Sequence, residues 1–564
     1  MIRPLSLLGW CLVCWLSSWA QPTYLEVEGT NAVQFSIRSD GLLFADSTGG
    51  RFVLDGDDFS YVQRAGLWIG GIAPSGAIKG AVWQPEEDSE PDYQSGFLDP
   101  QTGQVLGAGQ FWEVSDAEVE AQIDDFRNNL VIDDPIPSIF AWPGRNNPHF
   151  EAYNGYPQPP DVLMAPFFDN DGDGNYDPNN GDFPRAVDSP YAGKGVDKMI
   201  WFAYHTKPGM LPSGLPSPNL EIQTLIYLVN CPAALPVNQT VYFNKRVVNR
   251  GFEVIDSLHV GMYTEASIGC LESEYLGTHP ESKVAFVYDA TPTEDECLAG
   301  AISSPVLAVR VEEWWASDYE FINRPQITMP IIEEEATNVL LPPGMLPPDT
   351  PVSYFHYLSG SWRDGTPLTS GGNGFQNSSI KQQLIFPDAP YNSEGWSEQA
   401  SGLSPGKRSF LNILGDERIA PGGYQEYLFS FTVFDQETNN QPYDNLDSMY
   451  QRAKYLQQIF FFIAGVEPFY NCDMATSTTT PGKASALLQL FPNPAREQVH
   501  LQLHQGTIEQ VRLLGMDGKM LQQFSATNSP IEQIDIAHLR AGVYIVQVVT
   551  SEGTWANQKL VVSR

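Results

Sequence analysis

The most constraining feature of the sequence is a period-two alternation of apolar and polar residues near its C-terminal end. It is clearest in residues 499–503, 510–514 and 543–549. Alternate side chains of a β-strand point to opposite faces of a sheet, so this pattern predicts half-buried strands. Asp517-Gly518 and Glu552-Gly553 stand between such runs, where a tight hairpin needs residues that accept positive φ. Roughly seven short strands in under about 80 residues predict a small β-sandwich.

Four sub-motifs in the same segment carry a family resemblance. They are LFPNPA at 490–495, MDGKML at 516–521, IDIAHLRAGVYIVQV at 534–548 and QKLVV at 558–562. In this order and spacing they resemble the type A C-terminal sorting domain of the type IX secretion system, an immunoglobulin-like module. An ordinary terminal immunoglobulin-like module would explain the strands, but not the NPA, DGK and GVY signatures together. The resemblance implies a delivery tag whose partner is the type IX secretion machinery.

The first 20 residues predict an export signal. Arg3 supplies a positive start, residues 5–16 an apolar stretch, and Ser18-Trp19-Ala20 a small-x-small cleavage site. The apolar stretch is too short to span a bilayer, and no later run reaches the roughly 18 apolar residues that a spanning helix needs. We therefore expect a cleaved signal peptide, passage through the periplasm, no transmembrane segment, and a final location outside the cell or on its outer surface.

Upstream of the tail, strand patterns dominate. β-Branched and aromatic residues are concentrated in residues 224–229, 240–248, 283–288, 306–311 and 427–434. Such runs favour one or two packed antiparallel sheets. The sequence therefore predicts a mainly β protein, rich in β-sandwich structure, with several domains and few helices.

Two segments carry a helical pattern. Ser115 and Glu118 have the spacing of a capping box, and apolar residues recur at helical spacing from Val119 to Leu130. A second helix is predicted over residues 446–461, with Asn445 as its cap.

A length of 564 residues exceeds what one hydrophobic core usually serves, so several domains are expected. Sequence composition divides the chain into five parts. The parts are a signal peptide (1–20), an N-terminal β-rich region with one helix (21–165), a β-rich region that opens with an acidic loop (166–470), a polar linker (471–485) and the sorting domain (486–564).

The net charge excludes one class of partner. The chain has 31 Lys and Arg against 68 Asp and Glu, a formal charge of −37. A surface this acidic repels phosphate backbones, so nucleic acid is excluded as a partner. Calcium or a cationic surface fits better. The alternative is an acidic face that only keeps an exported protein soluble.

The sharpest local signal is the acidic stretch DNDGDGNYDPNNGD, residues 169–182. Alternate carboxylates around a turn that glycine permits can wrap calcium, which takes six to eight oxygen ligands. The first six positions match the EF-hand loop, but Asn180 stands where that loop has a bidentate Glu. The alternative is a solvated acidic turn. We predict a structural calcium site with the ligands Asp169, Asp171, Asp173, Asn175, Asp177 and Asp182.

Two further resemblances involve this region. The loop is similar to the calcium repeats of thrombospondin type 3 and dockerin modules. Five stretches, at residues 66–71, 165–184, 247–251, 359–375 and 419–423, resemble a large uncharacterised group of type IX cargo proteins. That resemblance implies an exported β-rich architecture and brings no known reaction with it. In that group an acidic run usually follows the strand after VNRG, the third of these stretches. Here the matching segment, residues 264–277, has fewer acids and a cysteine, which weakens the case for a second metal site.

Four cysteines remain once the signal is removed, and they are Cys231, Cys270, Cys297 and Cys472. Their spacing contains no CxxC element, which argues against zinc. An even number in an exported protein predicts disulfides. A Cys270–Cys297 bridge would close the shortest loop, but the sequence leaves three pairings open.

No motif identifies a catalytic residue. The GxSxG string at residues 402–406 lies in polar sequence without the strand and helix of a nucleophile elbow. The eight histidines form no HExxH pair, and a carboxylate pair for glycoside hydrolysis cannot be located among 68 acids. Trp68, Trp142, Trp362 and Trp396 lie in Gly/Pro-rich stretches, where they either stack on sugars or pack under loops.

The expected function is binding or adhesion. We expect a non-enzymatic, calcium-stabilised protein that binds an extracellular polysaccharide or protein ligand. The alternative is a secreted hydrolase acting on polysaccharide or peptide. An exposed cleft with two carboxylates about 5 to 10 Å apart, lined by the four tryptophans, would favour the hydrolase. A sandwich without such a cleft would favour the binding protein.

Overall fold

The computed structural model describes two parts of the chain, residues 22–463 and 488–562. The gaps within them are 30, 47–48, 58, 84–89, 160–163, 187–195, 231–234, 269–272, 291–303, 314–325, 333–340, 436–443, 492, 494, 497, 504–506, 516–519, 530, 538, 540–541 and 551–554. The predicted signal peptide, the linker 471–485 and all four remaining cysteines lie outside the described residues. The predicted Cys270–Cys297 bridge therefore stays a prediction.

The first part is built mainly from strands joined by turns. In chain order they are β1 (Tyr24–Glu28), β2 (Val33–Arg38), β3 (Ala45–Asp46), β4 (Gly49–Gly50), β5 (Phe52–Leu54), β6 (Val62–Ile72), β7 (Ile78–Ala81), β8 (Tyr93–Ser95), β9 (Phe97–Leu98), β10 (Val105–Leu106), β11 (Trp112–Ser115), β12 (Phe167–Phe168), β13 (Phe183–Pro184), β14 (Lys198–Thr206), β15 (Leu220–Leu228), β16 (Thr240–Asn249), β17 (Ile255–Ala266), β18 (Glu274–His279), β19 (Val284–Asp289), β20 (Val306–Glu313), β21 (Gln326–Ile331), β22 (Ser409–Ile419) and β23 (Tyr424–Phe434). The helices are α1 (Asp116–Asn129), α2 (Pro137–Phe140), α3 (Phe150–Asn154), α4 (Leu235–Asn238), α5 (Pro351–Leu358) and α6 (Asp444–Ile463).

Two large antiparallel sheets organise these strands. The larger sheet has the order β11-β14-β15-β16-β23-β20-β19-β18, and β8 also pairs with β14. The smaller sheet has the order β21-β22-β17-β6-β7, and single bridges through Leu43 connect it to the three-stranded unit β1-β2-β5. The N-terminal strands thus pair with strands far along the chain, as β6 does with β17.

A phenylalanine cluster marks the core between the two sheets. Phe44, from the N-terminal strand unit, lies edge-on to Phe243 of β16 and Phe431 of β23, with ring centroids 5.7 and 4.7 Å away. All three rings are fully buried. Burial of large aromatic side chains from both sheets is the main source of hydrophobic stabilisation in such a sandwich. The predicted β-sandwich is therefore confirmed.

The opposite face of the large sheet is also buried. Tyr242 of β16 points away from Phe243 and stacks on Tyr227 of β15 at 5.1 Å, and Trp112 of β11 lies against Trp201 of β14 at 5.3 Å. Residues from α1, α2, α3 and the acidic loop complete this second core. Helix α6 covers a third cluster on β18, β19 and β20. Central strands such as β15 are consequently buried on both faces.

The predicted helices are present, with one correction. Helix α1 begins with the predicted capping box, in which Ser115 and Glu118 exchange side-chain and backbone hydrogen bonds. Helix α6 covers the second predicted segment, but it already begins at Asp444. Asn445 is therefore not its cap; it lies in the first turn and donates a hydrogen bond from Nδ2 to the carbonyl of Ser304. Helix α5 was not predicted from the sequence, although Thr350 caps it and Pro351 occupies its first position.

The C-terminal part is a small sandwich with its own core. Its strands are β24 (Leu488–Phe491), β25 (Gln498–Leu503), β26 (Ile508–Gly515), β27 (Met520–Ser529), β28 (Ile531–Asp535), β29 (Gly542–Thr550) and β30 (Trp555–Val562). They form two sheets, β24-β25-β28 and β27-β26-β29-β30. Buried and more exposed residues alternate along β25, as the sequence predicts. A bridge between Ala495 and Val562 brings the NPA motif beside the closing strand.

Candidate functional site

The acidic loop is the connection of a short hairpin. Strands β12 and β13 pair in antiparallel fashion on either side of it, and the rings of Phe168 and Phe183 stack at 4.7 Å. Gly172 and Gly174 have φ values of 75° and 77° within the loop. This left-handed conformation is favourable for glycine and strained for most other residues, which explains the two glycines between the aspartates.

Three of the predicted ligands come together in this loop. Asp169, Asp171 and Asp173 each place a carboxylate oxygen within 4.8 Å of the other two. Asp169 also accepts backbone N–H hydrogen bonds from Gly172 at 2.7 Å and Gly174 at 2.8 Å, which curl the chain around it. Three carboxylates at this separation repel one another and together can hold a hard divalent cation. Among the described residues, no second group of three or more His, Cys, Asp or Glu side chains meets the same distance criterion.

The other three predicted ligands have structural contacts outside that cluster. Asp182 is buried and accepts hydrogen bonds from the N–H groups of Asn170 and Asp177, both at 2.8 Å, so it holds the two ends of the loop together. Burial raises the pKa of its carboxyl to about 6, although the two N–H groups act against this. Asp177 caps the short turn that follows it, and Asn175 accepts a hydrogen bond from Asn146 at 2.7 Å.

A separate cleft of about 940 Å³ lies at one end of the sandwich. The turn between β18 and β19 and the start of β21 form part of it. The rest comes from residues 359–361, 367, 381–384 and 387, which lie before and after Leu368 in the chain. Residues 381–386 connect the two sheets there, because Thr328 of β21 donates its N–H to the carbonyl of Gln383 at 2.8 Å, and Thr278 of β18 donates to that of Phe386 at 3.0 Å.

The lining of this cleft is partly polar and partly apolar. Among the residues that the structure describes, it consists of two lysines, three glutamines, two serines, three prolines, a glycine and a leucine, and includes neither a carboxylate nor an aromatic ring. No local sequence pattern marks this cleft, since its polar residues are separated by long stretches of chain.

The four tryptophans of the Gly/Pro-rich stretches are buried and are not available to stack on sugars. Trp68, Trp142, Trp362 and Trp396 are all at most 8 % exposed. Each indole N–H donates to a backbone carbonyl, as from Trp362 to Gly374 and from Trp396 to Gly372. These side chains therefore hold loops in place, which is the packing role rather than the sugar-stacking role.

The GxSxG string is not a nucleophile elbow. Residues 403–408 have no regular secondary structure, and a strand follows them where an elbow requires a helix. The Ser404 carbonyl accepts a hydrogen bond from Arg408 at 2.8 Å. The segment serves to support Arg408, which forms an ion pair with the buried Glu398.

Comparison with known proteins identifies the C-terminal domain. Residues 489–563 match the family described as the secretion system C-terminal sorting domain. Together with the seven-stranded sandwich, this makes the segment a sorting domain of the type IX secretion system. The protein is accordingly type IX export cargo, destined for secretion or for the cell surface.

The remaining comparisons add no function. No curated protein matches the chain. A solved polysaccharide lyase aligns with 73 % of this chain and 41 % of its own length, at 8 % identity and a TM-score of 0.17. The chain thus spans well under half of that structure, and a TM-score this low says nothing about the upstream region. No described helix combines the length and apolarity that crossing a bilayer requires.

Proposed function

We propose that this protein is a calcium-stabilised binding protein of the adhesion type, delivered by the type IX system to the cell surface or the medium. The observation that carries the proposal is the lining of the cleft, whose described residues offer ammonium, amide and hydroxyl groups and no carboxylate. Glycoside hydrolysis normally requires two carboxylates across the scissile bond. Within the described residues, the cleft therefore has groups for holding a polymer and lacks the acid pair for cleaving one.

A binding and turnover screen tests this proposal. The protein without its signal peptide is applied to immobilised extracellular polysaccharides and proteins, and the soluble fraction is analysed for released fragments. We expect retention on at least one polymer with no fragments. Release of reducing sugar or peptide would favour the hydrolase instead. Failure to bind any polymer would reject the proposed function.

Calcium is the proposed structural ion. Its direct ligands are Asp169, Asp171 and Asp173, whose carboxylates already lie within 4.8 Å of one another. Their hydrogen bonds to backbone N–H groups leave further lone pairs for a metal, because each ionised carboxylate has about four acceptor positions. Asn175, Asp177 and Asp182 complete the proposed set from the same loop. A bound divalent cation turns mutual repulsion among these acids into attraction.

Removal of calcium should lower the stability of the protein. Extracellular calcium modules commonly bind the ion at about 10⁻⁴ to 10⁻³ M. At about 100 times the dissociation constant, binding would add about 2.7 kcal/mol to the free energy of unfolding. We expect the melting temperature to rise with calcium, to fall with a chelator, and to respond only weakly to magnesium, which demands tight octahedral geometry.

Two double variants distinguish calcium binding by this loop from an effect of acidic surface charge in general. Asp171→Ala with Asp173→Ala should abolish the response to calcium. Asp133→Ala with Asp134→Ala removes the same charge from another exposed stretch and should leave the response intact. If the melting curve does not change on chelation and no heat of calcium binding is measured, the calcium proposal is rejected and the loop is a solvated acidic turn.

A further inference from the structure

One aromatic side chain of the described structure stands fully in solvent. Phe252 lies on the turn between β16 and β17 and is 100 % exposed, whereas Tyr391, the next most exposed ring in the described part of the chain, is 54 % exposed. Single apolar side chains at a surface are common, so exposure does not by itself define a site. The groups around the ring decide what it can bind.

The turn that carries this ring is fixed by a buried asparagine. Asn249 is 1 % exposed, and its Nδ2 donates to the carbonyls of Glu253 at 2.8 Å and Ile419 at 3.1 Å. Its Oδ1 accepts the N–H of Gly251 at 2.9 Å, and its own carbonyl accepts the N–H of Gly422 at 2.8 Å. The VVNRG and IAPGG stretches are therefore locked together, and together they hold this turn in one shape.

A buried ion pair holds the same turn against the neighbouring strand. Arg250 Nη2 lies 2.7 Å from Glu221 Oε1, and Arg250 Nε donates to the other oxygen of this fully buried carboxylate at 3.2 Å. The N–H of Arg250 also donates to the carbonyl of Asn219 at 3.0 Å. The backbone position from which Phe252 projects is therefore set before a ligand binds, which lowers the entropic cost of binding.

A free side-chain amide lies beside this turn. A Cβ atom on Gly251 would be 3.4 Å from the Cβ of Asn219, so the Asn219 side chain starts next to the turn. Asn219 is exposed with a φ of 53°, and its backbone N–H donates to Ser217 Oγ at 3.2 Å. Its side-chain amide makes no hydrogen bond within the described part of the chain. The amide therefore offers a donor and an acceptor to a ligand held at the turn.

The acidic groups that follow the ring in the chain are paired. Glu253 is 51 % exposed and forms an ion pair with Lys79 at 2.5 Å, and Asp256 pairs with Arg418 at 3.2 Å. Because both acids are compensated, they do not favour a cationic ligand. The overall charge of −37 opposes an anionic one. The turn therefore favours an uncharged ligand.

The extent of the apolar surface distinguishes a sugar from a protein partner. A stable protein interface buries about 800 Å² on each side around an apolar core. Here the neighbours of the ring are Asn219, Gly251 and Glu253, and the adjoining turn at residues 420–422 adds an alanine, a proline and a glycine. One aromatic side chain, which buries about 150 to 250 Å² at most, matches one sugar unit, whose C–H face packs on the ring while its hydroxyls need hydrogen-bond partners.

We propose that the β16–β17 turn and Asn219 form a binding site for an uncharged polysaccharide, in which one sugar ring stacks on Phe252. Its hydroxyls bond to the Asn219 amide and the Glu253 carboxylate. The inference rests on the proposed polymer-binding function and specifies the class of polymer and three residues that contact it. Hydrogen bonds to an ionised carboxylate are stronger than those between neutral groups, so Glu253 orients the sugar on the ring.

Frontal affinity chromatography on immobilised polysaccharides tests the inference, because retardation of the protein front measures weak binding. The uncharged probes are dextran, laminarin, galactomannan and hydroxyethyl cellulose, and polygalacturonate is the anionic comparison. The protein without its signal peptide is run at about 0.15 M salt, where the Debye length is about 8 Å and distant charges are screened. We expect at least one uncharged probe to bind at least about tenfold more tightly than polygalacturonate.

Single variants locate the binding on the turn. Phe252→Ala should weaken it at least about tenfold, because the sugar loses its apolar contact, and Phe252→Trp should retain it. Asn219→Gly keeps the positive φ, removes the amide and should weaken binding by about threefold to tenfold. Two controls remove exposed apolar groups elsewhere, Met210→Ala from the hairpin before Asn219 and Tyr153→Ala from α3, and both should leave affinity within about twofold. Melting curves check the folding of each variant.

The outcomes separate this inference from the proposed function. Unchanged affinity in Phe252→Ala, or polygalacturonate binding as tightly as every uncharged probe, would overturn the inference. An equal loss in Met210→Ala, or a loss of retention on an immobilised protein in Phe252→Ala, would make the turn a protein-docking surface and also overturn it. If the protein binds another polymer in the wider screen and no uncharged probe here, the inference fails and the proposed function stands. If it binds no polymer at all, both fail.

Discussion

Among single residues, Lys245 occupies the most unusual environment. It lies on β16 and is fully buried, and its Nζ donates to the hydroxyls of Tyr204 at 3.2 Å and Thr224 at 3.3 Å. Burial lowers the pKa of this ammonium from 10.5 to about 7. The cause is the loss of hydration, which disfavours the charged form.

Lys245→Met should stabilise the protein most at low pH. The folded-state pKa of about 7 is below the ordinary value of 10.5, so between these pH values the unfolded chain binds more protons. The lysine's contribution to the free energy of unfolding therefore rises from pH 7 towards 10.5 and is least favourable below 7. The difference between variant and parent should shrink by about 3 to 5 kcal/mol from pH 6 to pH 10, measured by chemical denaturation.

A partly exposed lysine provides the control for the substitution. Lys198 lies on β14 of the same sheet and forms an ion pair with Glu113. Lys198→Met makes the same substitution outside the buried core, and its stability is measured over the same pH range. A pH-independent difference for Lys245→Met would show that the amine is not neutralised by burial.

At the scale of elements, close packing against strand β6 explains the glycines in GLWIGG, residues 66–71. A Cβ atom on Gly66 would lie 2.2 Å from the Trp83 ring, and one on Gly70 would lie 2.7 Å from Leu358 of α5. Neither glycine has a positive φ, so close approach and not backbone conformation requires them. Glycines along this strand let a tryptophan and a helix lie directly on the sheet.

Gly66→Ala should destabilise the sandwich by about 1 to 3 kcal/mol because it overpacks this contact. A double-mutant cycle with Trp83→Ala checks the cause by urea denaturation. Trp83→Ala removes the ring that the new methyl group meets, so Gly66→Ala should cost much less in that background. Equal costs in both backgrounds would mean that the strand loses stability for a reason unrelated to Trp83.

At the scale of the whole molecule, the sorting domain is independent of the sandwich. Its core is formed by residues between Leu488 and Val562 and shares none with the three upstream clusters in the described chain. Separate cores predict that either part can be removed without exposing the interior of the other.

Deletion of residues 484–564 should leave the rest folded but retained in the periplasm. The upstream sheets keep all their pairings, so melting of the truncated protein should match the upstream transition of the full chain. Cell fractionation and blotting locate the product. Appearance of the truncated protein in the medium at the level of the full chain would contradict the role of the tail in export.

The sequence determined those features that depend on neighbours in the chain. The capping box of α1, the alternation along β25, the sorting-domain motifs and the Asp169–Asp173 cluster all arise within a few residues of one another, where backbone sterics and side-chain periodicity act directly. The division into domains upstream of the linker stays a prediction, as does the occupation of the acidic loop by calcium.

Only the tertiary structure decided what is assembled from distant segments. The cleft exists because the β18–β19 turn, β21 and the segment around Lys381 meet at one end of the sandwich, and no local pattern marks any of them. Likewise, the sequence of β16 does not reveal that Lys245 is buried or that both faces of its sheet are covered. The reason is physical: burial and charge environment depend on which strands pair over long range, and chain topology sets those pairings.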